Sequence, residues 1–339
     1  MLKNKYLFKE FLHKAFVQFK SNSTIHAENY LQPLVEAARS HCYVENVGNK
    51  ADSLHRRIEQ TYEEQIRDAY LTTLKPQIKK QHLGSVMLAF DFTIEDFYGY
   101  TSDLWLHPWT GEQGVQATYT FAVMSLVGKH KIPIMAVPVH CGMSKEEIIT
   151  LFLAVARKLF KYIRCILLDA GFYSGEVIEA LQEYKYLIRA PHNEIIKKLI
   201  ATTEDWNSYC HEVVWNAGKT IQRTKTKIVI VKHVPFKNKK RVDCSYATNM
   251  QLHDGMSYVH LYCKRWQIET NFRMEDQVKI KSKSRYILVR YFYFMISLLL
   301  HAVWLITWSN TMPLDTFKVH LANQLLFATV GISYVHPIV

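Results

Sequence analysis

Three acidic residues stand where a fold could bring them to one place. Asp91 follows the apolar run VMLAF, Asp169 follows IRCILL, and Glu269 lies in YCKRWQIE, downstream of the run CSYATN. Carboxylates at the ends of neighbouring strands and on a nearby helix can converge on one edge of a sheet. There they would hold two divalent cations about 4 Å apart, the arrangement that supports in-line attack on a phosphodiester. Magnesium suits such a set, because it prefers hard oxygen ligands and keeps several of its waters, and manganese can substitute. Taken alone, an aspartate after a strand is more often a turn or a helix cap. The helix residues change that balance. Tyr262, Arg265 and Glu269 are spaced i, i+3, i+7 and share one helix face. Arg265 and Glu269 could be an ordinary surface ion pair. Yet Trp266, Ile268 and Phe272 form a separate apolar set, which leaves the Tyr-Arg-Glu stripe to face something polar.

A phosphodiester substrate agrees with the charge. The 339 residues carry 42 Lys and Arg against 30 Asp and Glu, a net charge of +12, and such a balance wants a polyanion. Residues 219–241 hold nine Lys or Arg and no Asp or Glu, alternating with Ile, Val and Thr in TKTKIVIVKHV. This reads as a β-hairpin with one basic face, with Lys225, Lys227 and Lys232 as phosphate contacts. Lysines on a solvated edge strand guard against aggregation, but nine to none exceeds that need. Near the other end, helix, glycine-containing turn and helix bearing Arg56 and Arg57 are compatible with helix-turn-helix DNA binding.

The elements that must position these residues follow from periodicity. Phe8, Phe11, Leu12, Ala15, Phe16 and Phe19 recur at helical spacing, a second helix covers about 27–42, and a capping box at Thr61 and Glu64 opens a third that runs to about Leu74. The segment 76–84 is the expected boundary. Beyond it come strands at 85–90, 117–127 and 132–139, with a turn at 128–131. A capping box at Ser144 and Glu147 opens a helix to about Phe160; strand 163–168, helix 174–183 and strand 186–189 follow. This is a mixed α/β sheet with helices layered on it. The chain is 49% hydrophobic and 21% charged, which excludes disorder, while 12 Gly and 9 Pro exclude fibrous sequence. Six cysteines without any C-x-x-C argue against a zinc knuckle or a disulfide scaffold and for a reducing cytoplasm. The lysine-rich start does not read as a signal peptide. Residues 291–308, YFYFMISLLLHAVWLITW, approach the length of a membrane span, but a helix buried on all sides is the better reading.

The order Asp91, Asp169, Y-x2-R-x3-E resembles the signature of the DDE transposases of bacterial and archaeal insertion sequences, whose fuller form is Y-x2-R-x3-E-x6-K. The flanking stretches FDFTIEDFYGY, LLDAGFYS, YATNM and RWQIETNFRMEDQVKIKSKSR agree. The resemblance covers about residues 86–308 and, more faintly, the N-terminal helices. It implies an α/β fold with a ribonuclease H-like mixed sheet flanked by helices. The catalytic core would comprise 86–191 and 246–310, with a β-rich basic insertion at 192–245, a helical DNA-binding domain at 1–80 and a C-terminal tail at 311–339. Metal binding by Asp91, Asp169 and Glu269 is implied, with Tyr262, Arg265, Arg273 and Lys279 positioning phosphates. So are cleavage at element ends, strand transfer into target DNA, and a dimer on double-stranded terminal inverted repeats in the cytoplasm, associated with the nucleoid. One position departs: the family lysine falls at Asp276, and Lys279 lies one turn further on. Glu95 and Asp96 compete with Asp91, which is preferred because the apolar run ends directly before it. The rivals are a ribonuclease H-like nuclease that only hydrolyses, a catalytically inactive DNA-binding derivative, and a membrane-anchored protein.

Overall fold

A computed structural model describes residues 3–16, 28–48, 51–99, 103–108, 113–218, 220–235 and 240–330. Its centre is one sheet. Strands β1 (Ser85–Phe97), β2 (Leu106–Pro108), β3 (Ala117–Val127), β4 (Pro133–Val139), β5 (Tyr162–Leu168) and β6 (Tyr186–Arg189) come first in the chain; β7 (Trp206–Ala217), β8 (Thr220–Pro235) and β9 (Arg241–Thr248) follow. The order β4-β3-β1-β5-β6 has β3 antiparallel to β1 and β4, and β1, β5 and β6 parallel. That is the ribonuclease H-like arrangement. β9, β8 and β7 then continue the same sheet antiparallel from β6.

Helices cover both faces because the central strands are apolar on both. On one face lie α5 (Lys145–Leu159), α6 (Gly175–Ala180) and α7 (Glu194–Thr202); α8 (Gly255–Cys263) and α9 (Trp266–Asp276) lie on the other, with α10 (Ile287–Thr307) beside them over β3 and β4. Helix α5 opens on the expected capping box, in which Ser144 Oγ accepts from the Glu147 amide and the Glu147 carboxylate accepts from the Ser144 amide. The turn after β3 forms at Gly128, whose φ of +100° favours glycine.

Several expectations are corrected. The β1 ladder continues through the polar residues to a Phe97–Ala117 pair, so Asp91 is mid-strand and not at a strand end. Backbone pairing with β3 sustains a strand that hydropathy alone would have stopped. Among the helices α1 (Lys3–Ala15), α2 (Glu28–Ser40), α3 (Ala51–Ile58) and α4 (Glu63–Lys80), α4 runs past Leu74 and carries Pro76 inside it. Its expected capping box does not form, because Tyr62 holds the cap position and the Thr61 hydroxyl donates to Ile58 O at 2.6 Å. TKTKIVIVKHV is one strand, β8, whose hairpin partner is β7, and Phe19 falls outside the described residues. The stretch after 310 is not only a tail, since α11 (Leu314–Val330) packs on α2.

The apolar stretch is α10, with every residue from Val289 to Val303 buried. Phe292 packs against Phe11 and Phe16, Phe294 stacks on Phe121 of β3 at 4.5 Å, and the Tyr291 hydroxyl donates to Ala136 O at 2.8 Å. The N-terminal helices therefore share one hydrophobic core with the sheet, and do not stand as a separate helical unit.

Candidate active site

Strand register sets the first two carboxylates. Phe90 pairs with Leu168 across the parallel β1–β5 ladder, so the next residues, Asp91 and Asp169, emerge side by side. Both alternate onto the face that carries Met87, Ala89, Cys165 and Leu167, the face covered by α8 and α9. Helix α9 is held there by Ile268, fully buried, and by Gln267, whose side-chain oxygen accepts from the Gly128 amide at 2.6 Å.

The Tyr-Arg-Glu stripe is not one helix. Helix α8 ends at Cys263 and α9 starts at Trp266, joined through i→i+3 bonds from the Lys264 and Arg265 amides to Leu261 O and Tyr262 O. Arg265 sits at this joint, and its side chain is only 7% exposed. Its Nη1 donates to Asp91 Oδ2 at 2.5 Å and its Nη2 to Glu269 Oε1 at 2.6 Å, with Asp169 Oδ1 at 3.7 Å from Nη2. Tyr262 donates its hydroxyl to Asp169 Oδ1 at 3.3 Å. Four predicted residues thus meet around the guanidinium of a fifth. The fork stands between the carboxylates, and among the described residues no three acidic, His or Cys side chains close around a single point.

Electrostatics follow from burial. Desolvation pushes the Asp91 carboxyl up to about 6, although Arg265 and the Phe92 amide, which donates to Oδ1 at 2.9 Å, favour its charged form. Burial raises the Tyr262 hydroxyl as well, so it stays a donor. Burial works against the charge on Arg265, but Tyr262 and the three carboxylates outweigh it. Its Nε is buried with no hydrogen-bond partner.

A cavity of about 520 Å³ opens beside Asp169, lined by Tyr262, Arg265, Trp266, Tyr246 and Arg189. Aromatic faces and cations alternate along its wall. Arg189 lies over Tyr246 at 5.5 Å, Tyr246 packs on Tyr262 at 5.1 Å, and Arg265 lies over Tyr262 at 5.4 Å. Arg189 and Tyr246 escaped the sequence reading. Arg189 could have been found: Leu168 pairs with Ile188, so Arg189 follows beside Asp169 just as Asp169 follows beside Asp91.

The other predicted residues lie elsewhere. Lys225 and Lys227 line a separate cavity with Thr248 and Asn249, at the end of β8 away from the carboxylates. Lys232 alternates onto the opposite face with Ile228 and Ile230, so β8 has no single basic face holding all three lysines. The end of β8–β9 that reaches the Asp169 cavity contributes Val234, Pro235 and Val242. Lys279 lines another cavity and stands 4.0 Å from Asp276. Glu95 pairs with Arg290 at 3.1 Å, away from the cluster. Arg273 is exposed on α9, Arg56 exposed and Arg57 half-buried on α3.

The strand order and directions, with three strands parallel and β3 antiparallel beside them, define a ribonuclease H-like protein. Within that class, the chain belongs to the transposase DDE domain family, whose model matches residues 89–305. The fold agrees with that of a piggyBac transposase synaptic complex with hairpin DNA, at a TM-score of 0.59 and 12% identity, covering 96% of this chain and 77% of that one. The NurA nuclease from Sulfolobus solfataricus aligns over 57% of this chain and 79% of its own at 11% identity, but its TM-score of 0.27 bears no weight. No curated protein matches the sequence.

Proposed function

We propose that this transposase cuts DNA at the ends of a mobile element and joins the freed 3′ ends to target DNA, with Asp91, Asp169 and Glu269 as its catalytic carboxylates. The gathering of those three carboxylates around Arg265 and Tyr262 carries the reading. Their oxygens are a hard donor set that fits magnesium, and a net negative cluster held by one guanidinium has charge to spare for a divalent cation. When bound, such ions supply a nucleophile at neutral pH and stabilise the attacking and leaving oxygens. The protein's own part is positioning. Arg265 offers two parallel donors suited to a phosphate as well as to carboxylates, and Tyr262 orients Asp169. Arg189 and Trp266 line the wall along which a strand would lie. The piggyBac likeness, a synaptic complex with hairpin DNA, supports DNA as the partner, and joining two double-stranded element ends calls for at least a dimer at the working stage.

Purified protein with magnesium and an end-containing duplex tests this reading. Asp91→Ala, Asp169→Ala and Glu269→Ala should each abolish cleavage and strand transfer while leaving DNA affinity within a few-fold. Cleavage without strand transfer would leave a nuclease. Affinity without cleavage in the parent would leave the inactive DNA-binding derivative that Asp276, in place of a lysine, already brings to mind.

A further inference from the structure

Between α9 and α10 the chain crosses in an extended, irregular path with an unusual pattern. Val278, Ile280 and Ser282 are buried, while Lys279 is half-buried and Lys281, Lys283 and Arg285 are exposed. Cations therefore recur at every second residue on the outward side. This path is held rigid from many elements. The Val44 amide donates to Lys281 O at 3.0 Å, the Ile280 amide to Ser297 Oγ at 3.1 Å, and the Tyr119 hydroxyl to Arg285 O at 2.6 Å. Arg290 Nε donates to Ser284 O at 2.8 Å. Glu45 accepts from the Ser282 hydroxyl at 2.8 Å and from the Lys283 amide at 2.9 Å. A solvated charge run would not need a backbone pinned by α10, β3 and the turn before α3.

The ladder borders a cavity of about 740 Å³ that shares no lining residue with the one beside Asp169. Its wall also carries Tyr43, 41% exposed, and Tyr98, 64% exposed. Lys283 Nζ lies 5.3 Å from the Tyr43 ring centre. Of the acidic residues lining it, Glu95 is paired with Arg290 and Asp276 stands by Lys279, and Asp96 is the third.

We infer that this cavity binds an unpaired DNA strand, with consecutive phosphates on Lys281, Lys283 and Arg285 and bases against Tyr43 and Tyr98. The two-residue repeat of extended chain, about 6.6 Å, is close to the step between phosphates along one strand. A single file of cations beside exposed aromatic rings is the construction that holds single strands, since duplex bases have no free face to stack. The inference rests on the proposed action on DNA. It adds a second contact site, for a strand separated from its partner.

Anisotropy titrations of the full chain with labelled oligothymidylate and with a blunt duplex, at several salt concentrations, test it. In the Lys281→Gln/Lys283→Gln/Arg285→Gln variant the single-strand slope of log K against log salt should flatten by about 2, at about 0.7 per phosphate. Tyr43→Ala and Tyr98→Ala should each weaken oligothymidylate binding about fivefold or more without changing the slope. An unchanged single-strand slope, or a loss confined to the duplex, overturns the inference. Should the triple variant fail to melt cooperatively, unchanged oligothymidylate affinity in the tyrosine variants overturns it instead. Cleavage separates the two readings: a parent that cuts DNA but shows neither effect loses only this site, and one that shows both but never cuts loses only the catalytic assignment.

Discussion

Burial and charge pull the Asp91 carboxyl in opposite directions, and burial wins, leaving it at about 6 against an ordinary value of 3.8. A carboxyl raised on folding binds its proton more tightly in the folded state, so between about pH 4 and 6 the folded protein holds more protons than the unfolded chain. Without metal, stability should therefore fall as pH rises through that window. Melting of the parent and of Asp91→Asn in EDTA checks this: the variant should lack the fall and melt no lower than the parent at neutral pH. Cleavage should show the opposite trend, failing as pH drops below about 6, with magnesium moving the midpoint lower because a cation favours the carboxylate. Arg265 makes a second prediction. Were it a surface partner of Glu269, losing the pair would cost only about 0.3–0.5 kcal/mol, but its side chain is buried and reaches three carboxylates. Lysine keeps the charge and loses the fork. Arg265→Lys should fold, keep most DNA affinity and lose about a hundredfold in cleavage, the scale expected when a scissile group shifts by about 1 Å. Activity within a few-fold of the parent in single-turnover assays would make the stripe structural.

At the scale of elements, the long β7–β8 hairpin, joined to the sheet through the β8–β9 ladder, also packs closely on α6. Trp215 of β7 lies directly on Gly175, the first residue of α6, where an added Cβ would overlap the indole ring. Helix α6 in turn follows Asp169, so the contact ties the hairpin to the turn that carries a catalytic candidate. Gly175→Ala should cost about 1–3 kcal/mol in urea denaturation, since neither a short helix nor a large ring can yield cheaply. Hydrogen exchange should quicken in 206–235 before the rest of the sheet. An unaltered midpoint would mean that Trp215 swings aside freely. Lys225 and Lys227 sit on this same hairpin, away from the carboxylates, so on the proposed reading they would serve the grip on DNA and not the chemistry. Glutamine at both should lower the salt slope for duplex by about 1.8 while leaving the rate on saturated substrate unchanged.

Over the whole molecule, α10 joins what the chain order keeps apart. It touches α1 through Phe11, the residue after α1 through Phe16, and the sheet through Phe121, while Ser297 and Arg290 fix the extended path between α9 and α10. The N-terminal helices, the catalytic sheet and α10 should consequently unfold together. Phe292→Ala removes a fully buried ring from their common core and should cost about 3–5 kcal/mol. Far-ultraviolet circular dichroism and tryptophan fluorescence should then report one shared, lowered transition. Two separated transitions would mean that the helices fold independently.

The sequence by itself determined which polar residues meet at the candidate site and the core of the sheet. Asp91 and Asp169 were legible because each follows an apolar run, Tyr262, Arg265 and Glu269 by their spacing, and the capping box at Ser144 is a local device that the chain writes within four residues. Helix α10 was legible too, because its apolar run is too continuous for any exposed face. What tertiary structure alone decided depends on partners distant in sequence. Pairing with β3 carried β1 beyond Asp91, and parallel register brought Arg189 beside Asp169. The break at Lys264 and Arg265 buried a guanidinium that a continuous helix would have left on its surface. Local spacing records which residues can share a face, whereas register, bulges and burial are settled by whichever strand or helix arrives to pack against them.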